Sequence, residues 1–147
     1  MPHPQPSLPP DKLSAFIRAA FSSNEILAVL LDDSTAQSGP FDGGCLIVAK
    51  ALLLLTGKGT LIRIVRHEPH TQTEHYGIEI DGHIYDASGK HQNATAWINT
   101  FASRELIAPP LLFFAYGYDE ASDIPDDPRA IKELTSLLVA RQSKDFR

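Results

Sequence analysis

Apolar residues in this chain change their spacing several times, and each change marks a new element. Leu13, Phe16, Ile17, Ala20 and Phe21 recur at intervals of three and four, which predicts an amphipathic helix opening at Asp11, a residue type suited to N-capping. After Ser22 and Ser23, the nearly continuous Ile26, Leu27, Val29, Leu30 and Leu31 predict a second, largely buried helix ending near Asp33. Residues 34–44, rich in Ser, Gly, Pro and Asp, read as a loop. From residue 45 to about 55 the chain is apolar on almost every helical face. That pattern predicts a helix through the centre of the domain, stopped by Gly57 and Gly59.

The period then falls to two. Residues 61–65 alternate apolar side chains with Arg63 and read as a strand, and the polar residues 67–74 read as a loop. Residues 75–80 and 83–87 alternate on either side of Asp81-Gly82, a two-residue hairpin signature. Under that turn Ile80 faces His83 and Gly77 faces Asp86. His75, Gly77, Glu79, Ile84, Asp86 and Ser88 then share one face, while Tyr76, Ile78, Ile80 and Tyr85 share the other. The second face is expected to pack in the core and the first to look toward the cysteine helix or a cleft. Farther on, residues 94–101 predict a short helix, residues 111–116 an apolar strand behind Pro109-Pro110, and residue 128 to about 142 a closing amphipathic helix. Helices interleaved with antiparallel strands, without an internal repeat, define an α+β domain.

At 147 residues and 43% hydrophobic, the chain suits one compact domain over residues 11–147. Pro2, Pro4, Pro6, Pro9 and Pro10 make residues 1–10 a mobile tail in which Pro6-Ser7-Leu8-Pro9 could serve as a peptide ligand. A net charge of -5 with scattered Lys and Arg argues against a general affinity for nucleic acid or for anionic membranes. The single cysteine precludes an internal disulfide framework, and the start of the chain lacks a charged region followed by an apolar run. Residues 46–55, interrupted by Lys50, fall far short of the roughly 20 apolar residues of a membrane span. The expected location is cytoplasmic, and delivery to another cell without a classical signal peptide is compatible with it.

The candidate chemistry starts at Cys45, placed where Gly43-Gly44 runs into the central helix. Helix N-terminal amides and the macrodipole favour a thiolate there, and could also hold an oxyanion. On the hairpin, Asp86 is the diagonal neighbour of His75 with only Gly77 between, so a carboxylate could hold one ring nitrogen while the other faces the thiol. Blander roles are an apolar core position for Cys45, a strand-edge polar residue for His75, and a turn cap at Asp86-Ala87-Ser88-Gly89 for Asp86. His67, His70 and His75, completed by Asp86 or Cys45, would form a metal site, but their spacing fits neither a helical pair nor a knuckle. Neither a metal nor another cofactor is expected. Trp97, with Phe101, is expected to pack in the core.

Gly43-Gly44-Cys45-Leu46 and the stretch from His75 to Ala87 resemble the papain-like cysteine peptidase superfamily, in particular the small bacterial papain-fold proteins that include NlpC-type enzymes, toxins and effectors. The resemblance covers about a third of the chain, residues 42–89. It implies a central Cys-bearing helix packed on a small antiparallel sheet with flanking helices, and a thiol-dependent peptidase, amidase or deamidase. Cys45 would be its nucleophile, His75 its general base and Asp86 the orienting residue, acting on a protein, peptide or small amide substrate. For the oxyanion hole the resemblance offers Gln37 or Asp42, with Gly44 alongside, and Trp97 as a shield over the pair. Leu46 departs from the aromatic that often follows the cysteine, and the insertions of full proteases are absent. The same scaffold could instead serve a non-catalytic binder or inhibitor.

Overall fold

A computed structural model describes residues 8–32, 44–67, 71–122, 124 and 126–145. Helix α1 spans Pro10–Ala20 and α2 Asn24–Asp32; α3, Cys45–Thr56, carries the cysteine. Strands β1 (Thr60–Arg66), β2 (Gln72–Ile80), β3 (His83–Asp86) and β4 (Gly89–His91) follow, then α4 (Ala94–Glu105), a 3-10 turn at Pro109–Leu111, β5 (Leu112–Tyr116) and α5 (Pro128–Asp145). The strands form one antiparallel sheet in the order β4-β3-β2-β1-β5. The fold is α+β.

Two cores lie on the two faces of this sheet. On one, α3 buries Leu46, Ile47, Ala51 and Leu52 against Tyr76, Ile78, Ile80 and Tyr85, with α1, α2 and α5 packed around them. Because α3 is apolar around its circumference, it needs the sheet on one side and α5 on another, and it touches both. On the other face α4 sets Trp97, Phe101 and Ala102 over Ile62, Ile64 and Ile84. The Tyr76 face packs in the core, as expected, but the His75 face, expected to look toward the cysteine helix or a cleft, is covered by α4, and α3 lies on the Tyr76 face.

Several boundaries also differ from the expected ones. The first helix starts at Pro10, with Pro9 at the N-cap, so Asp11 lies in the first turn; a proline at the first helical position gives up an amide that would have no helical partner. The expected tail over residues 1–10 therefore ends inside α1, and its first seven residues lie outside the described ones. So does the expected loop over residues 34–44, apart from Gly44. The expected loop over residues 67–74 is shorter, because Gln72 pairs with Arg66 and Thr73 with Val65. The short strand β4 was not anticipated, and α4 and α5 run past their expected ends.

Candidate active site

The β2-β3 hairpin builds the polar centre. Its register is Ile80↔His83, Glu79↔Ile84 and Ile78↔Tyr85. Asp81 and Gly82 have φ of 51° and 85°, both left-handed, as a type I′ turn demands. This register brings His75 and Asp86 together: Nε2 of His75 lies 3.0 Å from Oδ2 of Asp86, and both residues are buried. A carboxylate only accepts, so the proton between them belongs to Nε2. Nδ1 is then the nitrogen left for a thiol, and it is buried without an aligned hydrogen-bond partner among the described residues.

Cys45, the first residue of α3, is the neighbour that acts on this ring. Burial opposes protonation of His75, but the hydrogen bond to Asp86, together with the electrostatic influence of Cys45 and Asp86, outweighs it and raises the pKa from 6.5 to about 9. The imidazole is accordingly cationic at neutral pH. Gly44 caps α3 without a side-chain hydrogen bond, and no acidic residue lies in the first turn.

Asp86 is held from both oxygens. Oδ2 also accepts the indole N–H of Trp97 at 3.0 Å. Oδ1 accepts the backbone N–H of Ser88 at 2.9 Å and the Ser88 hydroxyl, and it lies 3.1 Å from Nε2 of His91. Burial would raise the pKa of this carboxyl, yet hydrogen bonds with His75 and His91 and their charges hold it well below the ordinary value of 3.8. The turn-capping role and the His75-orienting role thus fall to the same side chain.

Aromatic rings close the site. Phe101 stacks on His75 with ring centres 5.4 Å apart and planes 15° apart, and Trp97 lies 5.6 Å from the same ring. Gly77 makes room for this lid, since a Cβ there would come within 2.8 Å of the Trp97 ring and 3.0 Å of the Tyr85 carbonyl. Cys45 and His75 retain only 1% and 0% exposure. Two clefts of about 320 and 400 Å³ run along α5, lined by Glu25, Val29 and Arg129 in one and Lys50, Leu54 and Ile131 in the other, and neither reaches the Cys45-His75-Asp86 group.

The structure thus gathers Cys45, His75, Asp86 and Trp97, with Gly44 adjoining the thiol. The other oxyanion candidates, Gln37 and Asp42, lie outside the described residues, as does His70. His67 is exposed, with its ring centre 4.3 Å from that of Phe113 and the two planes tilted by 32°, and the described residues contain no group of three His, Cys, Asp or Glu side chains able to hold a metal ion. Ser88 and His91 were missed as site residues. The signal was present: around the turn at Asp86–Gly89, opposed residues are Asp86↔Gly89 and Ile84↔His91, which sets His91 diagonal to Asp86. No family model, no curated protein and no solved structure matches this chain.

Proposed function

We propose that the protein is a thiol-dependent hydrolase or acyltransferase of papain-like type, acting on an amide or thioester carbonyl. The observation that carries this reading is the buried His75 imidazole, fixed through Nε2 by Asp86, with Nδ1 free of a hydrogen-bond partner among the described residues and with Cys45, at the start of α3, acting electrostatically on the ring. The thiolate of Cys45 attacks the carbonyl carbon, forming a C–S bond. The imidazolium of His75 gives its Nδ1 proton to the leaving nitrogen or sulfur as the scissile bond breaks. Water, or an amine, then attacks the thioester; its proton passes to His75, and the thiolate leaves. Asp86 holds the ring in the tautomer both steps need, and Trp97 and Phe101 exclude water from the pair.

The test uses an activated acyl ester as probe, with mass analysis of the adduct. Wild-type protein should be acylated at Cys45, Cys45→Ser should fold and fail to react at that position, and His75→Ala should react about 10²–10⁴ times more slowly. Acylation that is indifferent to His75→Ala removes the reading. A second reading, a non-catalytic binding protein on the same scaffold, is favoured by the near-complete burial of Cys45 and His75. It predicts that Cys45→Ser leaves the biological activity intact.

A further inference from the structure

We propose that His91 is a positioning residue for the same site, holding the Asp86 carboxylate in the orientation that fixes His75; this rests on the thiol-enzyme reading above. His91 ends β4, paired with Ile84, and its side chain is only 10% exposed. Its Nε2 lies 3.1 Å from Oδ1 of Asp86 and 2.9 Å from Oγ of Ser88. The Ser88 hydroxyl has one proton, and its contact with Oδ1 uses it. The proton between Ser88 and His91 must therefore come from Nε2 of His91, which fixes that ring as a donor toward both oxygens.

The carboxylate is consequently gripped as a plate: His75 and Trp97 on Oδ2, Ser88 and His91 on Oδ1. Rotation about the Cβ–Cγ bond would break contacts on both sides at once. His91 supplies the only donor on the Oδ1 side, among the described residues, that comes from outside the turn holding Asp86 itself. Lys90 beside it and Asp11 on the packed helix α1 pair with each other at 2.8 Å, so they are already engaged. Without His91 the carboxylate swings more freely, is less firmly ionised, and stabilises the His75 imidazolium less.

The experiment follows the ring nitrogens of His75 by NMR across pH and the rate of Cys45 alkylation by iodoacetamide, in the full chain with His91→Leu, His91→Gln and His91→Asn. Gln places an amide N–H near the position of Nε2, whereas Asn places it short of Oδ1. In His91→Leu and His91→Asn, His75 should release its proton about one pH unit earlier than in wild type, and the midpoint of the Cys45 alkylation profile should move up by about one pH unit. His91→Gln should return both midpoints to within about 0.3 pH unit of wild type. Leu and Asn variants that titrate like wild type, or at higher pH, would overturn the proposal, as would failure of Gln to restore what Leu removes. Should wild-type alkylation prove indifferent to His75→Ala, the enzyme reading fails by itself, while the NMR arm still decides whether His91 controls His75.

Discussion

Asp86 shows how one side chain can combine a local role with a distant one. As a residue two before Ser88 it caps its own turn, and as a diagonal cross-strand neighbour it fixes His75. The sequence made both roles visible, because the turn chemistry and the hairpin parity can each be read from residue types alone. It did not reveal the shape of the lid. Gly77 carries no pattern that announces Trp97 above it; that contact depends on where α4 crosses the sheet. Gly77→Ala would push a methyl into the Trp97 ring and the Tyr85 carbonyl, and is expected to cost about 1–3 kcal/mol by overpacking. Trp97 is the one tryptophan in the chain, so its fluorescence reports the displacement directly. Urea unfolding should show the loss of stability, and the native emission should shift to longer wavelength.

Elements with an unbroken period were legible, and those shaped by their partners were not. The amphipathic spacing in α1, the apolar run of α3 and the Asp-Gly hairpin follow from local chemistry. Strand β2 begins earlier than its alternation suggests because β1 supplies partners back to Arg66, with a bulge between Ile64 and Val65 leaving Glu74 without an opposite residue. The bulge reverses parity, so Thr73 joins the face of Arg63 and Asp119, to which it hydrogen-bonds, and not that of His75. Strand β4 has only three residues and owes its pairing to β3. Helix α4 outlasts its expected end and stops at Leu106, a non-glycine residue at φ 57° and 92% exposed. A branched side chain is strained there and packs against little, so Leu106→Gly should stabilise the protein by about 1 kcal/mol, read as a higher thermal midpoint.

At the scale of the whole molecule, the buried charges tie stability to pH. His75 has a folded pKa of about 9 against 6.5 when unfolded, so its contribution is fully present below pH 6.5 and is lost as pH rises toward 9. The loss amounts to about 3 kcal/mol if His75 acts alone. Asp86 works in the opposite sense: with its folded pKa held well below 3.8, its contribution is present above that value and fades as pH falls. Urea unfolding across pH should therefore find greatest stability between the carboxylate range and pH 6.5, with the alkaline decline absent in His75→Ala. Among the described residues, no single helix is long and apolar enough to cross a membrane. The sheet between two helical layers buries the paired His75 and Asp86, and the proposed function requires that this pair activate Cys45. Its most direct measure is the rate of Cys45 modification by iodoacetamide against pH in wild type and His75→Ala. The account predicts a wild-type rate already near its plateau at neutral pH, and a His75→Ala rate that rises only through the range of a free thiol, about 8.5. Coincident profiles for the two proteins, or a thiol that reacts only after unfolding, would contradict it.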